Sequence, residues 1–327
     1  MRGRRLLWIG GAAAALTWAA HRRDLSAARR RIETGRQILD SGTLPIEFAE
    51  SGNGPAVLLV HGAGGGFDQG IALGRAFLGD EYRVVAPSRF GYLGTSLPAD
   101  ASAEMQAEAH LRLLDALQLD RVPVVGVSAG APSAMQLCLR HPDRCSGLAL
   151  IVPLAWAPNR PPARAPSAFF EVVLNTVAAS DFLFWAASKA AHSIMLKTIL
   201  GTPAENYRTA TAAERRAIDR MLGEILPISR RFAGIANDAA VSAGLTRYAL
   251  EQIRVPALVV SAADDLYGTY ESSLYTAEQI PHARFVAFPT GGHLLVGHHA
   301  EVRAELAVLL EECGTRVSDR TPMARSI

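Results

Sequence analysis

The stretch from residue 122 to residue 140 constrains the fold most. An apolar run, Val122–Val127, meets Gly126-Val127-Ser128-Ala129-Gly130, and a helix-like stretch, Ala131–Arg140, follows directly. A strand that turns into a helix with no linker places the serine in strained backbone angles and lifts its hydroxyl above the sheet edge. Gly126 and Gly130 flank it because a Cβ at either position would collide with the neighbouring strand or helix. The amide after the serine opens the helix and points outward. A pattern this short arises by chance in about one chain in ten of this length at ordinary glycine and serine frequencies. Its weight therefore depends on its surroundings.

Those surroundings alternate. Short apolar or β-branched runs at 46–50, 57–61, 82–86, Val122–Val127, 147–153, Ala257–Ala262 and Arg284–Phe288 read as strands, and 104–119 carries apolar residues at helical spacing. The run at 57–61 is too continuously apolar to be half exposed and suits the interior of a parallel sheet. The expectation is an α/β fold, a mostly parallel sheet flanked by helices. With 327 residues, 49% of them hydrophobic, burial is not limiting. Residues 154–254 break the rhythm: they hold no convincing strand, open with Pro158, Pro161, Pro162 and Pro166, and then read helical. That is an insertion above the sheet edge, a cap over the serine. Its apolar residues Phe169, Phe170, Phe182, Phe184, Trp185 and Met195 are expected to pack cap on core, with lining of an apolar pocket or membrane contact as the competing role. Arg230 and Arg231 read as a solvated helix face, the alternative being contact with an acidic substrate group. The expected organisation is an N-terminal segment (1–43), a core (44–153 and 255–313), a cap (154–254) and a polar tail (314–327).

The formal charge is +2 and the pI is near 8.5, but much of the basic excess sits in the first 36 residues, so no nucleic-acid footprint is expected. Cys138, Cys145 and Cys313 form neither a disulfide framework nor a zinc spacing. At the N-terminus Arg2, Arg4 and Arg5 precede an uncharged stretch, 6–20, after which His21, Arg22 and Arg23 restore charge. As a helix it would rise ~22 Å, short of a ~30 Å hydrocarbon core. Trp8 and Trp18 at its ends suit interfacial anchors. An uncleaved membrane anchor is the first reading; a cleaved export signal and a soluble helical extension compete with it, and the orientation stays open.

Chemistry enters at the strand ends. His61-Gly62-Ala63-Gly64-Gly65-Gly66 leaves the 57–61 strand with backbone N–H groups that no side chain shields, as an oxyanion needs. A phosphate loop is excluded in detail, since no G-K-[ST] follows and position 67 is Phe. Asp264 and Asp265 follow the Ala257–Ala262 strand, and Gly291-Gly292-His293 follows Arg284–Phe288. A serine hydroxyl needs a base, and an imidazole base needs a carboxylate to fix its tautomer. Ser128, Asp264 and His293 supply these in order, each just past a strand end, where loops of a parallel sheet meet. Asp265 is the rival carboxylate, set second because Asp264 comes first after the strand. His298 and His299 are the rival bases, set aside because they fall at the start of the last helix, and His61 reads as structural.

Taken together, His61-Gly62 with its glycine run, Gly126-x-Ser128-x-Gly130, the late Asp264 and Gly292-His293 resemble the α/β-hydrolase fold superfamily over roughly residues 44–312. The Arg89-Phe90-Gly91 loop resembles a segment many members carry after the third strand. The resemblance implies Ser128 as nucleophile, His293 as general base and Asp264 as its orienting acid. It also implies Ala63 N–H and Ala129 N–H as the oxyanion hole, with Gly64 as the alternative to Ala63, and no metal or organic cofactor. It implies a serine hydrolase acting on an ester of an apolar acid or alcohol. Carbon–carbon bond hydrolysis of ring-cleavage products, a cofactor-free haloperoxidase-type activity and a non-catalytic ligand-binding role are the alternatives.

Overall fold

The computed structural model describes residues 2–40, 42, 44–158, 176 and 180–314, with residues 2–14 as backbone only. Among these, eight strands form one sheet: β1 (Gln37–Leu39), β2 (Ile46–Ser51), β3 (Ala56–Val60), β4 (Arg83–Pro87), β5 (Val122–Val127), β6 (Cys145–Ile151), β7 (Ala257–Ala262) and β8 (Arg284–Phe288). The spatial order is β1-β2-β4-β3-β5-β6-β7-β8; neighbours from β4 to β8 run parallel, and β1 and β2 are antiparallel additions at one edge. The described helices are α1 (Arg2–Arg31), α2 (Phe67–Leu78), α3 (Ala103–Ala116) and α4 (Ala131–Arg140). Between β6 and β7 lie α5 (Asp181–Ala190), α6 (His192–Ile199), α7 (Ala204–Thr209), α8 (Ala212–Glu224) and α9 (Phe232–Ala243), and α10 (Thr269–Gln279) and α11 (His299–Glu312) follow.

Successive strand residues point to opposite faces of a sheet, and each face has its own helices. Leu58, Val60, Val124 and Leu148 pack on one side with Leu113 of α3, Met135 of α4 and Ala277 of α10. Val57, Leu59, Val125 and Val260 pack on the other with Phe77 of α2 and Leu306 of α11. Burial on both faces is why these strands read as unbroken apolar runs. Each expected strand lies within a residue or two of its place. β1 was not expected: it is three residues long and mostly exposed, so it carries no hydrophobic pattern.

The cap has a core of its own. Phe184, Trp185, Met195, Ile218, Leu222 and Ile225 cluster there, together with Ala28 of α1. Phe184, Trp185 and Met195 thus pack as expected of apolar residues, though within the cap and against α1. Phe169, Phe170, Pro161, Pro162, Pro166 and the tail beyond residue 314 lie outside the described residues. Thr211 and Glu214 form a reciprocal capping box that starts α8.

Helix α1 lies on this cap. His21 is buried between Trp18, Phe182 and Trp185, with ring centroids 5.1–5.5 Å away, and Trp185 Nε1 donates to Asp24 at 2.9 Å. Among the described residues no helix is long and apolar enough to cross a membrane. The transmembrane reading of residues 6–20 therefore finds no support in the fold, and the part of α1 from residue 18 onward packs on protein.

Two buried imidazoles set a pH limit. Burial first, and then the neighbouring Arg89 charge, push His110 down to about 3; the same two causes in the same order hold His61 well below the ordinary value. Unfolded, both take up a proton near pH ~6.5, whereas the folded chain resists it. Their folded pKa values are depressed, so this stability is complete above pH ~6.5 and is lost as the pH falls toward the folded values. Each site contributes a slope of roughly 1.4 kcal/mol per pH unit, so between pH 6 and 5 the pair is expected to cost about 2–3 kcal/mol. Urea unfolding midpoints at these pH values check the slope. His110→Leu should remove about half of it, and an unchanged slope in that variant would assign the acid sensitivity elsewhere.

Candidate active site

Ser128 stands at the turn Ser128–Gly130 between β5 and α4 with φ at +50°, a left-handed conformation that a side chain rarely adopts. The flanking glycines permit this turn. A Cβ on Gly126 would lie 2.7 Å from the Ala134 Cβ, and one on Gly130 would lie 2.5 Å from the Val60 carbonyl oxygen.

His293 stands on the turn Gly292–Leu294 after β8, and its Nε2 is 2.8 Å from Ser128 Oγ. Its Nδ1 is 2.8 Å from Asp265 Oδ2. A carboxylate only accepts, so the ring proton sits on Nδ1 and Nε2 is free to accept the serine proton. The Tyr267 ring packs edge-on against the imidazole at 4.7 Å. Such an arrangement can draw the proton from the hydroxyl as the oxygen attacks a carbonyl.

The carboxylate at this imidazole is Asp265, which corrects the expectation of Asp264. A turn closed by Asp265 N–H on Ala262 O folds the chain back after β7, so the second aspartate faces inward. The Asp265 side chain is fully buried and also accepts from Thr269 Oγ1 and from Tyr267 N–H at 2.8 Å. Asp264 serves the loop that carries His293. It accepts from Gly292 N–H at 2.7 Å, from Gly291 N–H at 3.3 Å and from Asn206 Nδ2 of the cap at 2.8 Å. Of the rival bases, His298 stacks on Phe288 and His299 Nε2 donates to Leu294 O.

In the glycine run most amides are committed. Gly62 N–H donates to Gln69 Oε1 (3.1 Å), Gly64 N–H to the Tyr92 hydroxyl (3.2 Å) and Gly65 N–H to Gly62 O (3.3 Å). Gly64 is thereby removed as a donor toward substrate. Ala63 lines the same cavity as Ser128, and Ala129 begins the first turn after it. His61 is structural: its Nδ1–H donates to Gly62 O at 2.7 Å, and its Nε2 accepts from Arg89 N–H at 3.0 Å.

Two buried ion pairs tie the cap to this loop. Arg89 binds Asp238 of α9 through both arms, at 2.5 and 2.8 Å, and the Tyr92 hydroxyl donates to the same carboxylate. Arg231 binds Asp68 through both arms, at 3.1 and 2.7 Å, and donates to Gly65 O. Arg230 is exposed as expected, but Arg231 is fully buried, so it lies on no solvated face, and it does not line the cavity beside Ser128. The sequence carried no periodic sign of these partnerships; the only local hints were Arg89 in its loop and Asp68 two residues after the glycine run.

Ser128 and His293 open onto a cavity of about 230 Å³ whose wall is mostly apolar: Ala72, Leu73 and Phe77 of α2, Val152, Leu200 and Met221 of α8 contribute to it. Val152, at the end of β6, has φ at +43°, a strained position for a β-branched residue. Among the cap aromatics singled out in the sequence, Phe182, Phe184 and Trp185 do not line it. Among the described residues no group of three or more His, Cys, Asp or Glu could hold a metal ion.

Comparison with known proteins places the fold. The family described as alpha/beta hydrolase fold matches residues 55–300. 2-Hydroxymuconate semialdehyde hydrolase of Pseudomonas sp. (strain CF600) is 30% identical over 131 residues, covering 39% of this chain and 46% of that enzyme, so the chain spans less than half of that relative's length. RutD of Klebsiella pneumoniae (strain 342), assigned as a carbamate hydrolase, is 30% identical over 249 residues, 73% of this chain and 84% of that one. Among solved structures, an alpha/beta hydrolase fold protein from Nakamurella multipartita superposes with a TM-score of 0.67 at 27% identity, covering 85% of this chain and 99% of that one.

Proposed function

Because the chain belongs to the α/β-hydrolase fold family, we propose that it is a serine hydrolase that cleaves an ester, or a related acyl bond, of an apolar substrate through an acyl-enzyme. The observation that carries this reading is the unbroken pair of hydrogen bonds from Ser128 through His293 to Asp265 at the wall of a mostly apolar cavity. Ser128 Oγ attacks the carbonyl carbon while His293 Nε2 takes its proton, and Asp265 stabilises the imidazolium that forms. The amides of Ala63 and Ala129 receive the oxyanion. The commitment of the Gly62, Gly64 and Gly65 amides elsewhere supports Ala63 in that role. The C–O bond breaks as His293 returns the proton to the leaving alcohol. Water, deprotonated by His293, then attacks the acyl carbon, and Ser128 leaves with the proton.

A fluorophosphonate probe on the purified chain is expected to label Ser128, and p-nitrophenyl esters of graded acyl length should show kcat/KM rising and then falling as the chain outgrows the cavity. A protein that neither labels nor turns over any ester would sink the proposal and favour a ligand-binding role. A second reading, carbon–carbon bond hydrolysis, draws on the similarity to 2-hydroxymuconate semialdehyde hydrolase. Bleaching of that compound's absorbance faster than any ester is cleaved would select it.

A further inference from the structure

The matched family region begins at residue 55, yet a side chain well upstream of it reaches the glycine loop's support. Arg31 lies in the last turn of α1. Its Nε donates to Asp68 Oδ2 at 3.0 Å, and its Nη2 donates to Glu224 O at 2.7 Å and Leu226 O at 2.5 Å. Those two carbonyls lie at and just beyond the C-terminal end of α8, where a helix leaves acceptors unpaired and favours a cation. One guanidinium thus joins α1, the first turn of α2 and the cap helix whose Met221 and Glu224 wall the cavity.

Asp68 is the hinge of the arrangement. Its side chain is 4% exposed and faces two arginines, Arg31 and Arg231. Burial would raise its carboxyl, but Arg231 and then Arg31 outweigh burial and hold it below the usual range. Arg231 spends one arm on Asp68 and on Gly65 O together, and Gly65 N–H closes back on Gly62 O around Ala63. The chain of contacts runs from Arg31 through Asp68 and Arg231 to the loop that presents Ala63 beside Ser128.

We propose that Arg31 is a positioning residue of the active site: it fixes Asp68 so that Arg231 holds the Gly65 carbonyl, and with it the Ala63 amide, in place. The N-terminal helix is then a working part of the site. The kinetic consequence rests on the serine-hydrolase reading; the structural consequence does not. Displacing an oxyanion donor by a fraction of an ångström weakens transition-state binding more than ground-state binding, so the loss falls on kcat.

Three variants of the full chain test this. Arg31→Gln removes the charge and two of the three bonds at most can be remade; Arg31→Lys keeps the charge without the fork. Asp24→Ala breaks the α1–cap contact with Trp185, seven residues earlier on the same helix, and touches nothing near Asp68. Amide hydrogen exchange across residues 61–68 and ester kinetics are read together. Arg31→Gln is expected to speed exchange in 61–68 and to lower kcat by roughly 10- to 100-fold with KM changed less than about threefold, Arg31→Lys to fall between it and the wild type, and Asp24→Ala to leave both readouts alone. Wild-type exchange in 61–68 for the Arg31 variants, or an equal effect of Asp24→Ala, would overturn the proposal; if Arg31→Gln does not fold, Arg31→Lys decides on the same readouts. Failure of the wild type to react with a fluorophosphonate would instead overturn the serine-hydrolase reading, while exchange still judges Arg31.

Discussion

Asp265→Asn is expected to lower kcat by roughly 10⁴-fold, the size of effect that follows when a carboxylate can no longer fix the tautomer of a catalytic imidazole. An asparagine at 265 retains the packing around Thr269 and Tyr267 but can offer an N–H where His293 Nδ1 needs an acceptor. Asp264→Asn is the paired variant. Its remaining carbonyl oxygen can still accept from Gly292 N–H, so the loop keeps its main support and kcat should stay within roughly tenfold of wild type. Steady-state kinetics on the two purified variants make the comparison direct. A larger loss at 264 than at 265 would return the carboxylate role to the first aspartate.

Ser128→Ala is expected to lower ester turnover by at least roughly 10⁴-fold and to abolish fluorophosphonate labelling, since the hydroxyl hydrogen-bonded to His293 Nε2 is that of Ser128. Alanine at 128 bears the same left-handed strain as serine, so the melting temperature should hardly change and the loss is chemical. Near wild-type turnover with an unaltered melting temperature would rule out the acyl-enzyme route.

The parts legible in the sequence were those with a local physical signature. Buried parallel strands show as continuous apolar runs, and the turn at Ser128 shows because both Gly126 and Gly130 are forced by approaches of under 3 Å, to the Ala134 side chain and to the Val60 carbonyl. The parts that were not legible depend on distant partners. Whether Asp264 or Asp265 faces His293 is decided by one turn hydrogen bond, to which composition is blind. Arg231 looks like any surface arginine until Asp68 is seen beside it, 163 positions away. Past the uncharged run in residues 6–20 the same helix continues into His21, Asp24 and Arg31, and no local pattern announces that their partners are on the cap and on α2. β1, three residues long and mostly exposed, was too short to show a pattern.

The paired attachments of Arg89 to Asp238 and of Arg231 to Asp68 bear on how a molecule gets in. Truncating one partner of such a buried pair costs roughly 3–5 kcal/mol, because the other charge is left buried and uncompensated, so the cap around α9 is expected to stay seated on the core while a substrate enters. With the cap held at these two posts, admission is expected to work by calibre, slender molecules reaching the serine and bulky ones being turned away. Progress curves should then start at full speed with no lag, and discrimination among substrates should follow their girth more than their affinity for any moving part.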